Sequence, residues 1–194
     1  NGTNGIDGTD GINGAVTSLT ITGTSGTSTL IGGVLNIPQY SGFVHYLGED
    51  FDGGIIYHLW KDNLGVEHGL IVSKTEQLST TWQAVGTLTG ADRSEDGAYN
   101  TALMTLSDAE TYVTGLGAGW YLPSIDELSL LWHNRFHANT ALRAGGFTLL
   151  ATAALYWSST EYTAPGAYFF NFTTGSATSA NKTNTYSVRA VRAF

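Results

Sequence analysis

The chain contains no cysteine, only three prolines and a single methionine among its 194 residues. Without a thiol it can build no disulfide framework, no thiolate metal site and no cysteine nucleophile. Charge is scarce as well. Lys and Arg number 8 against 16 Asp and Glu, a net −8, and charged residues make up 12% where a typical domain has about 25%. The surface is therefore expected to be largely neutral and polar. So few bases cannot neutralise many phosphates, which argues against nucleic acid and anionic membranes as partners. Long apolar runs are missing too: the longest near-apolar stretch, 147–157, contains threonines and falls far short of the ~20 residues of a membrane span. No membrane insertion is expected. The sequence begins with neither a methionine nor a basic, apolar signal segment, so Asn1 reads as a processing boundary.

What is present begins with glycine at every third position, Gly2, Gly5, Gly8, Gly11 and Gly14. Collagen requires that period because only glycine fits where three chains meet at the axis. A collagen-like leader over 1–16 is expected. Five triplets without proline are too few to hold a triple helix alone, so its order would depend on trimerisation of the next segment. From 17 to 42 the chain turns to Thr, Ser and Gly around Leu19, Ile21, Leu30, Ile31, Val34, Leu35 and Ile37, a pattern of short strands broken at glycines. One copy buries little, and three wound together would bury more, so a collar in a homotrimer is expected. TGTSGTSTLIGGVLNIPQY resembles the collar segment that recurs in bacteriophage tail fibres and related trimeric fibre proteins.

The body spans 43–194. FDGGIIYHLW and HGLIVS read as strands separated by the turn-rich KDNLGVE. Residues 100–116 have helical spacing, with Leu103, Leu106, Tyr112, Val113 and Leu116 apolar, and a second helix opens at Ser124-Ile125-Asp126-Glu127, a capping box. Ile125, Leu128, Leu131, Trp132 and Phe136 would form its apolar face. A β-rich tail follows with ALYWSSTEY, AYFFNF and a terminal strand YSVRAVRAF. The fold class expected is α+β, with two helices and several short antiparallel strands.

GGIIYHL, HGLIVS, AYNTAL, GWYLPSIDELSLLW, YWSSTEY and YSVRAVRAF, in this order, resemble the family named for the C-terminal domain of the Legionella collagen-like protein. The resemblance covers roughly 51–194. It implies a C-type-lectin-like, formylglycine-generating-enzyme-like architecture of the kind found on adhesins, phage fibres and retroelement-diversified proteins. This acidic chain departs from the basic, glycosaminoglycan-binding members, so heparin-type recognition is not carried over.

Catalytic and metal chemistry find little support in the residues. Trp120, Leu122, Trp132 and Trp157 are expected to fill the core. Asp126 and Glu127 occupy the first turn of a helix, where acids cap amides rather than form a catalytic pair. The acidic groups Glu49, Asp50, Asp52 and Asp92, Glu95, Asp96 lack the alternating register of a calcium loop, and the Glu-Pro-Asn and Trp-Asn-Asp motifs of sugar-binding C-type lectins are absent. His133 and His137 are spaced i, i+4 but have no acid between them and no third ligand. Ser179 and Lys182 match a nucleophile motif by letters alone. No metal, no cofactor and no catalytic residue is expected.

The tail is different. Residues 138–194 carry Arg143, Lys182, Arg189 and Arg192 against Glu161 alone, and 162–181 have no charged side chain. A neutral run of aromatics and small polar residues resembles a paratope. Tyr162, Thr163, Gly166, Tyr168, Phe169, Thr174, Ser176, Thr178 and Asn181 are the candidate ligand-binding residues. Relatives in the resembled family are rich in Asn here. Adenine-directed mutagenesis of an AAC codon yields Thr, Ser, Ala, Gly, Tyr or Phe, which suits Thr163, Ala164, Gly166, Tyr168, Phe169, Thr173, Thr174, Ser176, Ala177, Thr178 and Ser179 and suggests a retroelement-diversified region. Arg189 and Arg192 are expected to brace the terminal strand by pairing with acids. The function these readings favour is a non-enzymatic, receptor-binding tip of a virion tail fibre, taking a host cell-surface glycan or protein. A collagen-like adhesin on a bacterial cell surface and a tail-associated glycan depolymerase are the alternatives; should the tail not read the receptor, the two acidic loops would.

Overall fold

The computed structural model describes residues 18–23, 29–31, 34–38 and 42–194. The glycine-triplet leader expected over 1–16 lies outside the described residues. The chain divides into two units, Asn1–Gly42 and Phe43–Phe194.

In the first unit, three short strands form one sheet: β1 (Ser18–Gly23), β2 (Thr29–Ile31) and β3 (Val34–Pro38), in the order β1-β3-β2. β3 pairs parallel to β1, with Leu19 opposite Leu35, and antiparallel to β2, with Leu30 opposite Leu35.

The second unit holds two sheets and four helices. A four-stranded antiparallel sheet, ordered β12-β6-β5-β4, is made of β4 (Asp50–Phe51), β5 (Gly54–Lys61), β6 (Glu67–Ser73) and β12 (Val191–Ala193). A five-stranded sheet, ordered β10-β9-β8-β11-β7, is made of β7 (Gln77–Thr81), β8 (Leu155–Thr163), β9 (Gly166–Asn171), β10 (Ser176–Asn181) and β11 (Thr185–Val188). The terminal segment expected as one strand is therefore two, in different sheets. Val188 closes β11, Ala190 accepts from the Ser73 amide, and Val191 opens β12 opposite Val72.

Strand alternation sends side chains to both faces of the five-stranded sheet. Tyr156 pairs with Phe170 and Trp157 with Phe169. Tyr156 and Phe170 join Ile55, Tyr57, Val72, Leu128, Leu131 and Leu142 in one core, while Trp157 and Phe169 join Trp82, Val113, Leu122 and Val188 in another. Both faces of this sheet are thus covered, and its exposed groups concentrate on the edge strands β10 and β7 and the turns.

Each of the two expected helices is split. The first segment forms α1 (Gly97–Leu103) and α2 (Asp108–Gly115). Met104 is extended, Leu106 has φ +52°, and Ser107 accepts from the Glu110 amide to start α2. Ser107 with Glu110 is a local start signal that outweighs the continuing apolar spacing. The second segment forms α3 (Ile125–His133) and α4 (Arg135–Ala144), broken at Asn134. As a result Phe136 is not on the α3 core face but 74% exposed, and Leu106 is exposed as well. Ser124 and Glu127 make the reciprocal bonds of the expected capping box. Among the described residues, no helix is long and apolar enough to cross a membrane.

Candidate functional site

β8 ends as Glu161-Tyr162-Thr163, turns through Ala164-Pro165 and returns as β9, with Thr163 paired to Gly166. The turn is close at Gly166, where a Cβ would lie 2.9 Å from Thr163 Oγ1. β10 then brings Lys182 back beside the same turn, where its amide donates to Pro165 O (2.8 Å).

Lys182 and Glu161, both fully or nearly buried, form an ion pair. The Lys182 ammonium also donates to Thr87 O (2.7 Å) and Gln83 Oε1 (3.2 Å) and lies 4.4 Å from the Trp82 ring centroid. The Glu161 carboxylate accepts from the Thr89 and Gly90 amides, each at 3.0 Å. Burial pushes the Glu161 carboxyl up, but the hydrogen bond from Lys182 and those from Thr89 and Gly90 outweigh it and hold the group below its ordinary value. A charge pair with every lone pair engaged survives burial where a half-satisfied one would not. The pair fastens segment 83–90 to the β8–β9 turn. Gly86 shows how close the two run, since a Cβ on it would stand 3.1 Å from Pro165 Cα.

The consequence is a face assembled from two segments distant in sequence. Residues 77–91 contain no charged side chain, and neither do 162–181. At the end where they meet, Val85, Leu88 and Tyr162 are 45%, 71% and 57% exposed. The Tyr162 and Tyr168 rings meet edge to face with centroids 5.2 Å apart. Such a face offers apolar and aromatic contact area and small hydroxyls, and its one acid and one base are buried against each other.

Of the nine tail residues singled out in the sequence, Tyr162 and Thr163 are exposed at this end. Asn181 is exposed beside them, its Oδ1 accepting from Thr183 N and Oγ1 to shape the next turn. Two belong to the packing instead. Phe169 is 8% exposed in the core with Trp157, and Gly166 is buried. Tyr168 is half-buried and Thr178 exposed on β10. Thr174 in the β9–β10 turn and Ser176 at the start of β10, whose hydroxyls are 2.7 Å apart, sit at the opposite end of the hairpin. A six-residue strand separates the two ends by about 17 Å, so the nine residues do not form one patch. Val85 and Leu88 were missed because they precede the tail by some seventy positions; the neutrality of 77–91 was the available signal.

Most of the other candidates have structural partners. Glu49, Asp50 and Asp52 contact His45 (3.1 Å), Lys74 (2.7 Å) and Arg192. Asp96 caps α1 and pairs with Arg93 at 2.8 Å. His133 and His137 belong to different helices, and His133 Nδ1 bonds Ser129 O at 2.7 Å. No cluster of three metal-ligating side chains occurs among the described residues. Arg189, fully buried, faces Glu76 at 3.5 Å and donates to Thr148 O at 2.8 Å, so both tail arginines brace the fold as expected. Glu127 has one oxygen 2.7 Å from the Ser124 amide and the other 2.8 Å from the Tyr121 hydroxyl.

Residues 66–192 match the sequence profile of the Lcl C-terminal domain family. No curated protein matches the sequence. Among solved structures, a fimbrial protein from Bacteroides ovatus is similar, with a TM-score of 0.59 at 17% identity, covering 84% of this chain and 51% of that one. The chain thus spans about half the length of that neighbour, and the likeness is one of fold.

Proposed function

The chain belongs to the Lcl C-terminal domain family, and from that premise we propose that its body is a non-enzymatic binding head that reads a host cell-surface glycan or protein. The observation that carries this reading is the meeting of two charge-free segments at the Lys182–Glu161 pair, with Val85, Leu88 and Tyr162 turned outward. Exposed aromatic and aliphatic groups on a braced frame supply contact area at low entropic cost. The glycine triplets and the collar-like segment ahead of it suit a C-type-lectin-like head on a trimeric tail-fibre stalk, with β8–β10 supplying a diversifiable scaffold. A gene with no neighbouring near-identical template copy would remove the retroelement part of this reading alone.

A bacterial surface adhesin is the second reading, favoured by the fimbrial neighbour. Genomic neighbours separate the two. The depolymerase alternative needs two carboxylates free to act across a cleft; the buried acids Glu127 and Glu161 have their oxygens engaged, so that reading would have to use the exposed Glu95 and Asp126, which line one concavity. The decisive experiment measures host-cell and glycan-array binding of the chain and of V85S/L88S/Y162S. Binding lost in the variant with an unchanged melting temperature supports the reading, and binding retained overturns it. Release of reducing ends from host polysaccharide would favour the enzyme instead.

A further inference from the structure

Beside the Lys182–Glu161 pair lies Gln83, fully buried, with a carboxamide whose two ends are sorted by their partners. Its Nε2 donates to Thr87 Oγ1 (3.2 Å) and Thr105 O (3.1 Å), which leaves Oε1 to accept from Lys182 Nζ at 3.2 Å. The same Nζ is paired with Glu161 Oε1. A primary amine, a carboxamide carbonyl and a carboxylate thus meet at one nitrogen, although Gln83 and Lys182 are 99 positions apart in the chain. Lys182 is fully buried and Glu161 nearly so, and the Trp82 ring, 4.4 Å from Nζ, closes one side of the group.

Stability alone does not call for this trio, since well-packed apolar residues of the same volume often serve a core as well as a buried ion pair does. A desolvated lysine beside a general base is, in contrast, the arrangement of an amine nucleophile. The carbonyl carbon of Gln83 is one bond beyond an oxygen that Nζ already touches, so the reacting atoms are held together by the fold. The two hydrogen bonds on Nε2 fix the carbonyl toward Nζ. Burial also shuts out water, the competing nucleophile.

We infer that the chain closes its own isopeptide bond between Lys182 Nζ and Gln83 Cδ, with Glu161 as the base. Glu161 takes one proton from the ammonium, and the free amine adds to Cδ. The tetrahedral adduct passes a second proton from Nζ to Nε2 and collapses as the Cδ–Nε2 bond breaks. Ammonia leaves with the proton held by Glu161, as ammonium, and the carboxylate is restored. One C–N bond forms, one breaks, and nothing is oxidised or reduced. In the open state the proton rests on the amine, because Glu161 is held below its ordinary value. Closure is therefore slow, and the ion pair is the state of a freshly folded chain. Once closed, the bond staples segment 83–90 to the end of β10 in a chain with no cysteine to do so. The inference does not depend on what the head binds.

The test is intact-mass and peptide-mapping mass spectrometry of the full chain, fresh and after several weeks at physiological temperature. The aged chain is expected to be lighter by one ammonia, and its digest to contain two peptides joined through Gln83 and Lys182. Mapping is required because Asn1-Gly2, Asn4-Gly5 and Asn13-Gly14 also lose ammonia when such pairs form succinimides. Q83L removes the acceptor carbonyl and keeps the ion pair, so it should remain folded by circular dichroism and never cross-link. E161D keeps the charge but draws it back from Nζ, and should slow closure by about tenfold or more. The closed chain should melt higher than the open one, because the loop between the two residues is covalently shut. Full mass after ageing, ammonia loss that maps only to the Asn-Gly pairs, or closure in E161D at the rate of the unaltered chain would overturn the inference.

Discussion

Glu161, near the close of β8, and Lys182, just after β10, meet in a buried ion pair beneath segment 83–90. Neither is free to bind a ligand, since Gln83, Thr87, Thr89 and Gly90 take up their remaining hydrogen-bonding capacity. Their role is positional: one contact orders the two neutral segments of the proposed binding face.

Removing one partner strands the other in the interior. K182M is expected to cost about 3–5 kcal/mol in chemical denaturation, and E161Q to be strongly destabilising because the Thr89 and Gly90 amides lose a charged acceptor. A loss below about 1 kcal/mol in K182M would show that the pair is not structural.

The two buried acids should act in opposite directions with pH. Glu161 is held below the ordinary carboxylate value, so its contribution is present above the unfolded pKa and is lost as pH falls through the folded one. Glu127 is raised, chiefly by burial, so its contribution is full below the unfolded pKa and is lost as pH rises through the folded one. Stability measured from pH 3 to 7 should fall less steeply toward acid in E161Q than in the unaltered chain. An unchanged slope contradicts the assignment.

Gly97 packs against Glu127. A Cβ there would lie 2.3 Å from Glu127 Oε2, 2.6 Å from Ser124 N and 2.7 Å from Leu122 O. Two of these are backbone atoms that cannot swing away, so G97A should destabilise by roughly 2–4 kcal/mol in spite of alanine's better helix propensity. A stabilised G97A protein would mean that α1 shifts freely against α3.

Chelation should leave the melting temperature unchanged, because Glu49, Asp50 and Asp52 already have protein partners. A shift of several degrees with EDTA would reveal a structural cation.

Light scattering of the whole chain at micromolar concentration should give three times the 20.6 kDa chain mass. The low burial available to a single copy of 17–42 is the reason. A monomer mass refutes the trimeric stalk.

The chemistry of short segments was legible in the residues. Apolar and aromatic runs bounded by turn residues marked β5, β8 and β9, and Ser124 with Glu127 marked the start of α3. Apolar spacing was equally good on both sides of Leu106 and of Asn134, so it did not reveal that each helix breaks there; Ser107 capping and the turn at Asn134 decided that locally. Tertiary structure alone decided the binding face. Phe169 and Tyr162 look alike in a neutral, aromatic tail, yet strand register turns Phe169 onto Trp157 and leaves Tyr162 outside. Val85 and Leu88 join that end only because Lys182 and Glu161, 21 positions apart, are desolvated together beneath their loop. Side-chain identity states what each group is able to do, whereas which groups share a surface depends on long-range burial that no local pattern encodes.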